Sequence, residues 1–482
     1  MFPHVIMGAM EIKQDTGKQL PGEKMGRDLT TGSIPRHIIS FSTPMLIGSA
    51  FQTLYAFINM FWVGKRLGKE AIAIITQIMP INFALMSIAI GLTMASSILV
   101  AQAYGRKDFP VVRDIIRSSV MLSLIASALC IIISSVVAEP LLRTMQTPAG
   151  ILQESVHYLR VFMWTLPCVF IGFLAASVLR GVGDSITPLY FQIISLVITA
   201  VLDPLLIFGW LGCPKLGLIG TAYANIIAQV IGVAAISIYL HRKKHIARLH
   251  WEALGMDWPT CRQLLRLGVP TMFQNAFVSL AMVFLTGLVN VYGETADAAF
   301  GIAGRWDMVA FMPAITMQMA ISTLTGQNIG AGRFERIKEV FLWGMVITCG
   351  MTLIATIVAV SVPEFIMRGF TNDSEVVRIG IGYLRIMGLS YVIFALMLVT
   401  NGIINGAGHT LATTIFSLLS LWLLRVPLAA YWSNHTGHIT GIWYAILVSA
   451  IGGAIASLTY YFAGFWKKPV GHRKQQQLAE AE

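Results

Sequence analysis

An acid stranded in an apolar run is the first residue of this chain that calls for chemistry. Asp203 lies near the end of the apolar stretch 186–209, and an ionised carboxylate in hydrocarbon is costly unless it faces a cavity, is paired or takes up a proton. Pro204 follows it. Proline disfavours helical geometry at the preceding residue and removes a backbone donor, so a local break is expected that frees carbonyls for an ion or water. Thr199, four residues earlier, shares the face of Asp203. Two readings stand: a kink carboxylate bonded to neighbouring backbone, or a protonation or ion site. Other chemistries find less support. Cys130, Cys168, Cys213, Cys261 and Cys349 are scattered singly, giving neither a zinc pattern nor a disulfide framework. Gly181-Val182-Gly183 and the glycines of 326–332 lack a Walker lysine and a strand-turn-helix context. They read as turns, and ATP is not implied. No nucleophile, base and orienter set can be assembled, so an enzyme is not expected.

The surroundings of Asp203 set its task. Of 482 residues, 56% are apolar and 12% charged, against about a quarter charged in soluble domains. That composition cannot clothe a water-facing surface, which excludes soluble enzymes, secreted disulfide scaffolds and nucleic-acid binders. Apolar runs at 37–63, 71–104, 115–138, 155–180, 186–209, 217–240, 262–291, 296–328, 337–362, 378–402, 410–432 and 439–466 predict twelve membrane helices. The polar stretch 241–261 divides them evenly. The predicted organisation is a cytosolic tail 1–36, an N-lobe 37–240, a cytosolic linker 241–261, a C-lobe 262–466 and a cytosolic tail 467–482. The stretch 1–36 shows no basic start followed by a small-residue cleavage site, so no removed signal peptide is expected.

Lys and Arg gather in the tails, the linker and the loops around Arg106, Lys107 and Arg113 and around Arg333, Arg336 and Lys338. This places both termini in the cytoplasm of a cell inner-membrane protein. Lys65, Arg66 and Lys69 run against that trend. The net charge of +11 is then mostly an insertion signal, with some contact to anionic lipid. Trp210, Trp432 and Trp466 near helix ends read as interfacial anchors.

The chain repeats itself at one fixed offset. That offset lays Gly68 on Gly293, Gln102 on Gln327, Gly105 on Gly330, Tyr158-Leu159-Arg160 on Tyr383-Leu384-Arg385, and Gly181 and Gly183 on Gly406 and Gly408. Each copy holds an even number of spans. The copies therefore enter the membrane in the same direction and form two similar lobes about an axis along its normal, the parallel-repeat architecture of transporters. Two lobes over a central cavity can rock to expose one site to either face in turn.

The stretch Leu54-Tyr55-Ala56-Phe57-Ile58-Asn59-Met60-Phe61-Trp62-Val63-Gly64, the pair Gln102 and Gly105, Leu179-Arg180-Gly181-Val182-Gly183-Asp184, Leu202-Asp203-Pro204-Leu205 and Gly326-Gln327-Asn328-Ile329-Gly330-Ala331-Gly332 resemble the multidrug and toxic compound extrusion (MATE) family, with a bacterial DinF-like branch nearest. The likeness runs from about residue 28 to residue 466. It implies twelve helices in two lobes and export of amphiphilic organic cations in exchange for H+ or Na+, with no further cofactor. Partners would be small amphiphiles and membrane lipids, not nucleic acid, with the chain working as a monomer. In the DinF-like branch the first helix carries a bending proline and, further along, an aspartate. Here Pro44 keeps the proline, but Asn59 stands at the position of the aspartate. Asp203 would therefore act without a carboxylate partner, with Asn59, Thr199, Gln52 and Tyr55 as polar surroundings and Pro44 and Pro204 as bend points. NorM-like members place acids in the seventh and tenth helices, where this chain has Val278 and Phe394.

The second lobe offers Arg305, Asp307 and Arg425 instead. Asp307 is a second ion or substrate site, or half of an internal ion pair with an arginine. An Arg425 facing the cavity would favour zwitterions or anions over strong cations. Among 24 methionines and many aromatics, Trp164, Trp306 and Met308 are the substrate-cavity candidates, since soft and flat side chains adapt to varied amphiphiles. The leading expectation is ion-coupled multidrug export of cations or zwitterions. The alternatives are a lipid-linked precursor flippase of the same superfamily and an integral-membrane enzyme using Asp203 or Asp307 as base.

Overall fold

The computed structural model describes residues 26–145, 147–248 and 255–467, apart from the side chains of 56–58, 60–69, 72, 211 and 436. Most of both expected tails, residues 249–254 of the expected linker, and the side chains of Lys65, Arg66 and Lys69 lie outside the described residues.

The chain is all-α. Its helices are α1 (Ile34–Gly105), α2 (Phe109–Thr144), α3 (Ala149–Met163), α4 (Leu166–Gly181), α5 (Ile186–Phe208), α6 (Leu218–Arg242) and α7 (Trp258–Asn290). After these come α8 (Glu294–Gly330), α9 (Glu335–Ser361), the short α10 (Pro363–Arg368), α11 (Ser374–Gly406), α12 (Thr410–Leu418), α13 (Val426–Thr436) and α14 (Thr440–Phe462). Starts are marked by local chemistry. Asp108, Asp257 and Asp373 accept hydrogen bonds from first-turn amides of α2, α7 and α11, satisfying donors that have no partner within the helix.

Among the described residues ten helices are long and apolar enough to cross a membrane, α1 being counted there only from Ala73, and the pair α3 and α4, bent by 45°, makes an eleventh. The start of α1 supplies the twelfth. At about 1.5 Å per residue its 72 residues would make a rod of roughly 108 Å, over three times the hydrocarbon thickness. Yet its two ends meet. Leu29, just before α1, donates its N–H to Gln327 Oε1 at 3.0 Å, and Gly105, its last residue, lies against the Gln327 carbonyl. The stretch therefore doubles back and crosses twice. The sequence predicts a loop at 64–70, but the backbone there stays helical.

Two further expectations change. Helix α5 runs unbroken through Pro204, because in apolar surroundings a proline costs one hydrogen bond and a bend, whereas a full break would strand several backbone groups. Trp466 is buried, its indole stacked on Tyr461 and donating to the Tyr461 carbonyl at 2.9 Å. It is a packing residue, not an interfacial anchor.

The lobes are joined by an exchange of helices. One apolar cluster lies entirely within 285–446. Leu29, Ile34, Ile38 and Phe41, around the start of α1, pack with Met317, Leu324, Val340 and Ile403 of the second half. Leu264 and Leu267 of α7 reciprocate, packing with Ile98, Val100, Ile116 and Val178 of the first half. Each half thus lends the beginning of its first span to the other.

Within the second lobe Trp443 is fully buried, stacked on Phe300 at 5.6 Å and edge-on to Tyr383 at 4.6 Å. Trp443→Ala is expected to cost roughly 3–5 kcal/mol. Trp443→Phe is expected to cost far less, because the indole N–H has no partner among the described residues to lose. Thermal unfolding in detergent checks both.

Candidate functional site

Asp203 is 1% exposed. Its Oδ2 accepts hydrogen bonds from Asn59 Nδ2 at 2.7 Å and from the Tyr55 hydroxyl at 3.0 Å, and Asn59 Nδ2 also reaches the Tyr55 oxygen at 3.5 Å. The other carboxylate oxygen, Oδ1, is buried with no partner among the described residues. Residues 55 and 59 stand one helical turn apart on α1, so one acid of α5 gathers both. Thr199 lies one turn before Asp203, but its hydroxyl donates to the Ser195 carbonyl at 2.8 Å. Gln52 lies on the wall of the central cavity, outside this cluster. Pro44 and Pro204 sit within α1 and α5.

The second lobe holds its own acid. Asp307 Oδ1 accepts from the Tyr391 hydroxyl at 2.6 Å, and Oδ2 accepts from the Tyr383 hydroxyl. The expected arginine pair does not form among the described residues: two tyrosines of α11 satisfy the carboxylate instead. Arg425 is buried elsewhere, in a π-helical turn (Leu419–Arg425), where Nε donates to Ser449 Oγ at 2.8 Å and the guanidinium lies over the Phe394 ring at 5.7 Å. Arg305 is exposed and lies over Phe370 at 5.7 Å. Neither arginine lines the central cavity.

That cavity, of about 620 Å³, lies between the lobes. Its wall carries many polar side chains on a largely apolar surface, and almost no charge. Carboxamides project from α1 (Gln52), α5 (Gln192), α6 (Gln229), α7 (Gln274) and α8 (Gln318), and among the described residues the one charged side chain is Arg180 at the end of α4. The duplication is visible in the wall: Ser97 and Ser322, Met94 and Met319, and Arg180 and Asn405 are pairs related by the internal repeat. Tyr55 and Thr199 line the cavity as well, so the Asp203 cluster stands directly behind its wall. Trp164, Trp306 and Met308 do not line it. Trp164 and Met308 are 65% and 69% exposed, and Trp306 packs against the second-lobe cluster. Aromatic type alone could not tell a lipid-facing side chain from a cavity-facing one. Of these carboxamides only Gln52 is expected at the site from sequence; Gln192, Gln229, Gln274 and Gln318 are not, although polar side chains within membrane spans face the interior by default.

Beside Arg180 and Asn405 of the cavity wall the two halves meet in a repeated contact. Gln102 Nε2 donates to the Gly406 carbonyl at 2.9 Å, and Gln327 Nε2, its counterpart in the second copy, donates to the Gly181 carbonyl at 2.9 Å. Each glutamine reaches into the opposite half. Close approach makes this possible: a methyl group added to Gly105 would land on the Gln327 carbonyl oxygen, and one added to Gly330 on that of Gln102. Residues 26–33 lie across the seam. Arg27 donates its N–H to the Val182 carbonyl at 2.9 Å, while the carbonyls of Thr30 and Gly32 accept from Arg333 and Arg336, each at 2.7 Å.

A duplicated, two-lobed membrane fold around a central cavity, its halves joined by a repeated contact, defines a transporter, not an enzyme. The chain belongs to the MatE family, whose model matches it twice, at residues 44–205 and 270–431. It is 32% identical to the probable multidrug resistance protein YoeA of Bacillus subtilis over 90% of this chain and 95% of that protein. It is 28% identical to the probable multidrug resistance protein YpnP of the same organism, over 91% and 97%. Its fold superposes on a MOP-superfamily transporter from Pyrococcus furiosus with a TM-score of 0.85 at 23% identity, covering 92% of this chain and all of that one, 100%.

Proposed function

We propose that this chain is a secondary active exporter of small amphiphilic solutes, driven by H+ or Na+ and working by alternating access, in the inner membrane with both termini cytoplasmic. The observation that carries the reading is Asp203: a buried carboxylate behind the cavity wall, with one oxygen bonded to α1 and the other without a partner among the described residues. A proton or cation at that free oxygen weakens the negative charge that holds Asn59 and Tyr55. Because the start of α1 packs in the second lobe's half of the molecule, a change in its grip on α5 alters how the lobes meet. The moving bodies we assign are 37–240 and 262–466, less the exchanged beginnings of their first spans. The ion biases the equilibrium by no more than its difference in affinity for the two forms. The names of the Bacillus relatives support an exported-drug role.

Dye accumulation in cells with and without the gene tests the reading. The expected result is lower accumulation in expressing cells, lost on adding a proton uncoupler or on removing sodium. Accumulation that is lowered but responds to neither treatment excludes coupling to either ion.

A further inference from the structure

We infer that the central cavity takes aromatic organic anions, and that Arg180 recognises their negative group. The inference deepens the transport reading by naming a substrate class. Among the described residues Arg180 is the one charged side chain on the wall, and its guanidinium makes no hydrogen bond or ion pair with any of them. Its counterpart in the second copy is neutral: Asn405, whose Oδ1 is already engaged by the Thr413 hydroxyl at 2.7 Å. The two acids of the core do not balance it. Asp203 lies behind Tyr55, which donates to it, and Asp307 is covered by Tyr383 and Tyr391. A cation entering the cavity meets an uncompensated positive charge in surroundings of low dielectric constant, where charges act strongly. An anion meets a planar five-donor fork suited to carboxylate or phosphate.

The rest of the wall fits the body of such a molecule. Gln52, Gln229 and Gln318 each bring a donor and an acceptor, and Gln192 and Gln274, whose Nε2 already donates to the Gly48 carbonyl and to Ser417 Oγ, add their amide oxygens, which suits ring oxygens and nitrogens in several orientations. Met45, Met94, Met319, Phe173 and Phe191 supply a deformable apolar surface. The volume of about 620 Å³ is that of a site for a drug-sized molecule.

Fluorescein and rhodamine 123 share a flat xanthene core and carry opposite charge at pH 8, so fluorescence anisotropy with the purified full-length protein isolates the charge preference. Tighter binding of fluorescein is expected. Arg180→Gln should weaken fluorescein about tenfold or more, the usual scale for loss of a charge-assisted hydrogen bond, and leave rhodamine 123 unchanged or tighter. Arg180→Lys should keep the preference. Tighter rhodamine 123 binding to the wild type, binding of neither dye, or equal weakening of both dyes in a monodisperse Arg180→Gln protein would each overturn the assignment. If Arg180→Gln does not fold, the wild-type preference decides. No ion gradient enters these measurements, so they are independent of coupling: an Asp203→Asn protein that transports nothing but binds fluorescein normally separates the two claims.

Discussion

Gly105→Ala and Gly330→Ala are each expected to reduce transport to background. A methyl group at either position falls on a backbone carbonyl oxygen of the opposite half, and backbone, unlike the tip of a flexible side chain, yields only by moving its helix. Overpacking costs about 1–3 kcal/mol, which at the upper end shifts the sealed state's population by roughly a hundredfold. The penalty applies only where the lobes meet at this seam. The variants should therefore fold and reach the membrane, yet be unable to complete the cycle. Hydrogen exchange provides the second readout: residues 26–33 and 102–105 should lose protection in both variants. Gly350→Ala, where an added methyl meets nothing within 4 Å, is the matched control and should transport normally. Undiminished transport by Gly105→Ala or Gly330→Ala would mean that the seam does not close in the working cycle.

Asp203→Asn is expected to eliminate ion-driven efflux while preserving the fold. The amide oxygen can still accept from Asn59 and Tyr55, so the geometry of the cluster survives. What disappears is the charge, and with it the capacity to bind a proton or cation. Efflux measured in inverted vesicles should fall to the level of vesicles lacking the protein, with the amount of protein in the membrane unchanged. Asp203→Glu keeps the charge but pushes it toward Tyr55, so partial activity is expected. Wild-type efflux from Asp203→Asn would remove Asp203 from the coupling mechanism.

The two expectations differ in how much of each was legible in the sequence. The spans followed from hydropathy because the long helices are apolar over lengths that can cross a membrane. The internal repeat set Gln102 against Gln327 and Gly105 against Gly330 in sequence, but that these residues meet at a seam was not legible, because a repeat records likeness and not contact. Asp203 was legible as a lone acid in an apolar run, and Tyr55 and Asn59 as its surroundings only through family likeness, being 148 and 144 residues away. The tyrosines on Asp307 were not legible, because 76 and 84 residues separate them from it and tyrosine in a membrane helix usually packs or lies at an interface. Arg180 stands in a stretch that carries the family likeness, with nothing local to mark it as a cavity residue. Its place on the cavity wall depends on where α4 ends relative to α5 and α8, which no local pattern encodes. The exchange of first spans between halves was invisible for the same reason: apolar periodicity records that a face is buried, not what buries it.

The paired glutamines have a consequence for ancestry. Any contact that recurs under the internal repeat, with each copy reaching across to the other, is one that two identical chains could have made about a twofold axis. A progenitor half this length could have closed its pore as a homodimer before its gene was joined head to tail. Joining the copies kept the latch in duplicate and released the remaining positions from sameness, so that aspartate could settle in one half at Asp203 and in the other at the unrelated position Asp307. In such a history the lock is older than the fusion, and the machinery that turns it is younger.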